Sequence, residues 1–185
     1  MRKIVAVLLA VPLLVLSLAG AAGASTVKGS FEYHVGDALV QSLGFPAGNQ
    51  AIANNGDVVT VIATGTFDTV GRTATGGGTF AHHMVATGQT ITGTIAVTKL
   101  ISFQSYGDAT PQGLPASFFG GKLTLSAVAT PDADPSVHLP MTITVECELG
   151  NPPASVVEGV RVNVKDVINF NKSVPESGAN VYIQQ

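Results

Sequence analysis

The chain has 185 residues, of which 11% are charged, and a formal charge of −3 at pH 7. Globular proteins typically carry about 25% charged residues, and nucleic-acid binding requires a concentrated basic surface. Nine scattered Lys and Arg residues do not supply such a surface, so nucleic acid is excluded as a partner, and the 45% hydrophobic content excludes a disordered chain.

The N-terminus predicts a secretory signal. Arg2 and Lys3 precede an apolar run over 4–18, and small residues follow this run without a basic stop-transfer cluster. We therefore predict a signal peptide over 1–24 and a single domain over 25–185, with no transmembrane segment after cleavage. The protein would be secreted, either to the extracellular space or to the periplasm. Its mature part would have seven basic and twelve acidic residues, a formal charge of −5.

Alternation of apolar and polar residues dominates the predicted domain and indicates β-strands. The first strand runs to about Val35. A short helix is predicted near 37–43, and a turn at 54–57 follows it. The glycines at 76–78 are interpreted as a hairpin device between two strands. The further predicted strands are 58–67, 79–85, 90–103, 118–129, 137–149, 160–165, 167–170 and 181–183.

These elements predict an all-β fold of about eight to ten strands. The connections are mostly short and rich in Gly, Pro and Asn, and no helical stretch is long enough for a crossover, so the sheet should be antiparallel. A single β-barrel is favoured because closure removes exposed edges, and a β-sandwich is the alternative.

The predicted strand at 137–149 contains the single cysteine, Cys147, and two glutamates, Glu146 and Glu148. A single cysteine cannot form an intramolecular disulfide, and its alternation with apolar neighbours predicts a buried small hydrophobe. Glu146 and Glu148 lie two residues apart, at a spacing of roughly 6.6 Å that a pair of glycosidase carboxylates could use. Both fall on the Thr-rich face, so a solvated face is the favoured interpretation.

His82, Lys99 and Tyr106 are the candidate ligand-binding residues. His82 shares a face with Phe80 and Met84, which resemble core residues, and Lys99 interrupts the apolar face of its own strand. An imidazole and a lysine inside a barrel could orient an anionic or carbonyl ligand. In the favoured alternative, a β-bulge exposes Lys99 and His82 donates to a backbone carbonyl.

No cofactor or metal is predicted. The adjacent His82 and His83 point to opposite faces of a strand, which weakens a shared metal site. Asp132 and Asp134 lack the remaining oxygen ligands of a calcium loop, so a plain turn is predicted there. The sequence also contains none of the motifs for nucleotides or nucleophilic catalysis.

Six short segments of the sequence carry a resemblance to known proteins: 54–57, 77–80 with His82, 100–107, 147–153, 158–160 and 169–172. Together they resemble an uncharacterised family of small exported all-β proteins from bacteria and fungi with no established activity. This resemblance implies a compact β architecture and no site residues. The Gly-Thr-Phe segments at 65–67 and 78–80 show a fainter similarity to dirigent and allene oxide cyclase barrels, which implies a ligand in the barrel lumen.

Three functions remain open from the sequence. The protein could be a non-catalytic barrel that binds a small apolar ligand, or it could bind an extracellular protein or surface. The third possibility is a barrel isomerase or cyclase that uses His82 with Lys99, or with a glutamate, as acid and base. Binding is ranked above catalysis because no established catalytic set is present.

Overall fold

A computed structural model describes residues 27–185, and the predicted signal peptide lies outside this range. Over this range the chain forms eleven strands, one short α-helix and a 3-10 turn at Thr110–Gln112. Within the described residues, no helix has the length and apolar character needed to cross a membrane. The elements are β1 (Ser30–Val35), α1 (Ala38–Ser42), β2 (Asn49–Ile52), β3 (Val58–Asp68), β4 (Thr73–His83), β5 (Thr90–Asp108), β6 (Phe118–Pro131), β7 (Leu139–Cys147), β8 (Gly159–Val164), β9 (Ile168–Phe170), β10 (Lys172–Ser173) and β11 (Asn180–Gln184).

All strand pairings are antiparallel, and two long strands organise them. β3 pairs with β4 along one side and with β1 and β2 along the other. β6 pairs with β5 along one side and with β7 and β11 along the other. The path β3–β4–β5–β6–β11–β1 therefore returns to β3 as a partial ring, in which β6 and β11 share only two residue pairs.

The all-β prediction is confirmed, and so is the short helix near 37–43. The Asp37 side chain caps α1 by accepting a hydrogen bond from Val40 N. The partial ring combines features of the predicted barrel with those of the alternative sandwich, because β7, β8 and β9 continue outward from β6. Two of the eleven strands, β2 and β10, were not predicted.

The space enclosed by the strands is filled by side chains. Phe31 and Phe67 stack with ring centroids 5.0 Å apart, and Phe103 lies 4.8 Å from Phe67 and 5.2 Å from Tyr182. Leu123 and other inward residues of β6 and β7 extend this core. Aromatic rings at these distances pack favourably and leave no room for a central ligand.

The triple glycine at 76–78 was wrongly interpreted as part of a hairpin turn. It lies inside β4, and the turn that joins β3 to β4 is at 69–72. A Cβ at Gly78 would overlap the backbone carbonyl oxygen of Ile62 on β3, and one at Gly77 would overlap that of Ile95 on β5. The glycines therefore allow close approach of the neighbouring strands β3 and β5.

Candidate functional site

A surface pocket lies beside the packed core, where β7 ends and β11 begins. It has a volume of about 610 Å³. Its walls come from α1 and the loop after it, the segment before β6, both ends of the β7–β8 connection and the segment before β11. We call this the end pocket, and its lining residues are Val40, Leu43, Phe45, Pro46, Leu114, Phe118, Glu148, Leu149, Glu158, Glu176, Gly178, Ala179, Asn180 and Val181.

The walls of the end pocket are mainly apolar and partly open to solvent. Leu43 is 51% exposed, Phe45 is 49% exposed and Leu114 is 39% exposed. These three are among the nine large hydrophobic residues exposed in the described part of the chain. An apolar concavity with a few polar groups is typical of small-molecule sites, whose volumes are about 300–1,000 Å³.

Glu158 forms the polar floor of the end pocket. Its Oε1 accepts hydrogen bonds from Asn180 N at 2.7 Å and Asn180 Nδ2 at 2.8 Å, while its Oε2 accepts one from Glu148 N at 2.8 Å. Burial nevertheless raises the pKa of Glu158 to about 7, since desolvation of the charged form outweighs these hydrogen bonds.

Glu148 and Glu158 hold the two ends of the β7–β8 connection together. The Glu158 N–H donates to Glu148 Oε1 at 2.9 Å, which reciprocates the bond from Glu148 N to Glu158. These two hydrogen bonds between the same pair of residues keep the two ends of the β7–β8 connection close to each other. The two carboxylates are therefore held in position, and neither forms an ion pair with a residue in 27–185.

Asn180 anchors the floor to the core. Its buried side chain also donates to the carbonyl oxygen of Glu146 at 2.9 Å and accepts a bond from Asn49 Nδ2 at 3.0 Å. The thiol of Cys147 lies 3.0 Å from the Asn180 carbonyl oxygen and donates to it. Burial raises the pKa of this thiol, so Cys147 is a buried apolar residue, as predicted.

His82 lies near the end of β4 and contacts the carboxylate of Asp57. Its Nε2 is 3.0 Å from Asp57 Oδ2, and its ring meets that of Phe170 edge-on at 5.1 Å. Asp57 Oδ1 also accepts a bond from Val85 N at 3.0 Å. The hydrogen bond with His82 lowers the pKa of Asp57. His82 therefore has a partner different from the predicted backbone carbonyl.

Lys99 is exposed and lies far from His82. The register of β5 and β6 shifts between Val97 and Lys99, which is the bulge of the favoured alternative. His82 faces Ile91 across the β4–β5 ladder, and Lys99 is eight residues further along β5, roughly 26 Å by the strand rise. The structure therefore does not bring together the pair that the isomerase or cyclase hypothesis requires.

Tyr106 contacts Glu146 outside the end pocket. The Tyr106 hydroxyl donates to Glu146 Oε2 at 2.8 Å, and an Arg161 nitrogen donates to Glu146 Oε1 at 2.6 Å. Lys122 Nζ is 3.7 Å from the same oxygen. Burial, and then the bond to Glu146, raise the pKa of Tyr106.

The prediction of a solvated face was wrong for Glu146, which is only 5% exposed, and right for Glu148, which is exposed. Glu146 is buried because Tyr106 covers it and because Arg161 on β8 and Lys122 on β6 flank it with positive charge. A buried carboxylate requires such partners. These contacts cross strands, so the alternation within β7 alone could not reveal them.

Asp134 has a structural role in the turn between β6 and β7. Asp134 Oδ1 accepts bonds from Ser136 N at 3.0 Å and Ser136 Oγ at 2.6 Å, as in an Asx turn. These bonds lower the pKa of Asp134. Within residues 27–185, no group of three His, Cys, Asp or Glu side chains is arranged to hold a metal ion.

Sequence reasoning missed the end pocket, because its lining comes from five separate segments. The only local signal was the exposed apolar pair Leu43 and Phe45 beside Pro46, in a stretch without strand alternation. The fold and this site together define an all-β protein with an apolar pocket beside a closed core. Comparisons with protein-family models, curated proteins and solved structures find no match to this chain. The resemblance to an exported β family therefore stays a prediction.

Proposed function

We propose that this is an exported, non-catalytic binding protein that holds a small apolar ligand in the end pocket. The observation that carries the proposal is the grouping of Leu43, Phe45 and Leu114 around a cavity of about 610 Å³. Exposed apolar surface is unfavourable in water, so a ligand that covers these side chains would be stabilised by their burial.

The location of the pocket differs from the lumen site expected from the sequence. The central space is occupied by Phe31, Phe67, Phe103 and Tyr182, whereas the end pocket is open at the surface. Its floor is held by the bonds among Glu148, Glu158 and Asn180. Because these side chains are already fixed, less conformational entropy is lost when a ligand binds.

The size of the cavity favours a small molecule over the alternative extracellular protein or surface. About 610 Å³ lies in the middle of the range for small-molecule pockets. A protein partner would require a larger contact area around the same residues. Catalysis by His82 and Lys99 is not proposed, since these side chains lie far apart along the sheet.

A fluorescence titration tests the proposal. The chain contains no Trp, so the emission of the neutral apolar dye N-phenyl-1-naphthylamine can be followed without tryptophan background. We expect saturable enhancement with one site per chain. The double variant Leu43→Ala/Phe45→Ala should bind about tenfold more weakly, a change that corresponds to roughly 1.4 kcal/mol of lost apolar contact.

The matched control is Val85→Ala/Val167→Ala. Both valines are exposed, at 56% and 63%, and neither lines the end pocket. This variant should bind the dye like the wild type. Equal losses in the two double variants, or no saturable binding by the wild type, would show that the end pocket is not a ligand site.

A further inference from the structure

All the charged residues that line the end pocket are acidic. Three carboxylates, those of Glu148, Glu158 and Glu176, line the cavity, and no Lys, Arg or His is among the lining residues. None of the three forms an ion pair with any residue in 27–185. The acidic groups of this pocket are thus uncompensated, unlike Glu146, which Arg161 and Lys122 neutralise.

The three carboxylates are not equivalent. Both oxygens of Glu158 already accept hydrogen bonds from Asn180 and from the backbone of Glu148. Glu148 uses Oε1 for the bond from Glu158 N, and its Oε2 has no partner among the described residues. Glu176 is exposed, and its side chain makes no hydrogen bond within that range. Glu148 and Glu176 are therefore free to contact a ligand.

We propose that the ligand of the end pocket is a cationic amphiphile, with an apolar body against Leu43, Phe45 and Leu114 and an ammonium group beside Glu148 and Glu176. This inference rests on the binding role proposed above and adds the chemical class of the ligand. An apolar wall with nearby carboxylates complements an alkyl or aryl amine in both parts. The same carboxylates repel a fatty acid, and with a neutral alcohol they form a hydrogen bond without the attraction between opposite charges.

Three ligands with the same alkyl chain separate these possibilities. Decylamine, decanol and decanoate are each used to displace N-phenyl-1-naphthylamine from the full chain at pH 8, where the amine is protonated and the carboxylates are ionised. We expect decylamine to displace the dye at a concentration about tenfold below that of decanol, and decanoate to be the weakest. Added salt should reduce the preference for the amine.

The variant Glu148→Gln/Glu176→Gln tests the assignment of the residues. Glutamine keeps an acceptor oxygen for the Glu158 N–H, so the fold of the connection is preserved. We expect this variant to lose most of the preference for decylamine over decanol, since Glu158 is the one lining carboxylate that it retains. The control Glu32→Gln/Asp166→Asn makes the same change in net charge at one half-buried and one exposed position outside the pocket, and it should keep the preference for the amine.

Two failures are distinguishable. If the dye binds but the wild type shows no preference for decylamine, or the Glu148→Gln/Glu176→Gln variant keeps that preference, the cationic ligand is wrong and the pocket remains an apolar site. If neither the dye nor any of the three ligands binds, the proposed function itself is wrong, and the inference falls with it.

Discussion

Glu158 shows two opposing effects on one carboxylate. Hydrogen bonds from Asn180 and Glu148 favour its charged form, while removal from water disfavours it. Desolvation prevails, because these donors are neutral amide groups and no described cationic side chain forms an ion pair with Glu158. The pKa of about 7 is therefore a consequence of where the β7–β8 connection folds.

The raised pKa of Glu158 predicts a pH dependence of stability. Between about 4.5, its ordinary value, and about 7, the folded protein retains a proton that the unfolded chain has released. The free energy of unfolding should therefore fall as the pH rises through this window, by an amount on the order of 3 kcal/mol.

Urea denaturation at intervals from pH 4 to pH 8 measures this effect. The variant Glu158→Gln has no carboxyl group to titrate, so the difference between the two stability profiles isolates Glu158 from other acidic groups. We expect the wild type to lose stability relative to this variant as the pH rises. A constant difference across the range would contradict the raised pKa.

β4 illustrates how one strand adapts to two neighbours. It pairs with β3 along its whole length and with β5 from Gly77 onward. At 76–78 the backbones come so close that side chains cannot be accommodated. Three consecutive glycines are unfavourable for a strand in isolation, but they allow this approach.

The substitution Gly78→Ala should be strongly destabilising. Its Cβ would overlap the Ile62 carbonyl oxygen and would lie 2.7 Å from the Ala63 Cα, and neither backbone atom can move without disrupting the β3–β4 ladder. We expect a loss of about 3 kcal/mol in the free energy of unfolding, measured by urea denaturation.

Gly71→Ala is the matched control in the turn before β4. There the nearest atom to an added Cβ is the Asp68 carboxylate oxygen at 3.1 Å, which belongs to a side chain that can rotate. We expect a change within about 0.5 kcal/mol of wild type. Similar effects of the two substitutions would rule out close packing as the reason for the triple glycine.

Alternation predicted the long strands well and failed where a strand departs from the rule. β2 was missed because its inward positions carry Asn49 and Ala51, while the more apolar Ile52 points outward. Asn49 is tolerated inside because it donates to Ala179 O at 3.0 Å. The exposure of Lys99 depended on a bulge, and sequence alone left both orientations open.

Tyr182 connects the parts of the whole molecule. It lies on β11, which pairs with β1 and β6, and its ring packs edge-on against Phe67 and Phe103. Its hydroxyl donates to the Val145 carbonyl oxygen on β7 at 2.9 Å. The fully buried side chain of Tyr182 therefore contacts both the partial ring and β7, the strand that continues the sheet outward from β6.

Substitutions of Tyr182 separate its packing from its hydrogen bond. Tyr182→Ala leaves a cavity in the aromatic cluster and should cost about 3–5 kcal/mol in the free energy of unfolding. Tyr182→Phe keeps the ring and removes only the bond to Val145, which should cost about 1 kcal/mol. Urea denaturation measures both losses in the free energy of unfolding. Equal losses would show that the packing of the Tyr182 ring does not stabilise the partial ring.

The candidate site depended on the whole molecule much more than the fold did. The predicted residues His82, Lys99 and Tyr106 lie in three different places, and none of them lines the end pocket. Leu43, Leu114 and Glu158 are remote in sequence and meet only because β1, β6, β7 and β11 bring their loops to one end.

The sequence by itself determined the all-β class, the antiparallel pairing, the short helix after β1 and the burial of Cys147, because these follow from local periodicity and turn residues. Only the tertiary structure decided which strands close the partial ring and that Glu146 is buried beside Arg161. It also decided that a mainly apolar pocket lined by three carboxylates exists. Those features depend on contacts between distant segments, and alternation along one strand specifies which face a side chain occupies without specifying what it faces.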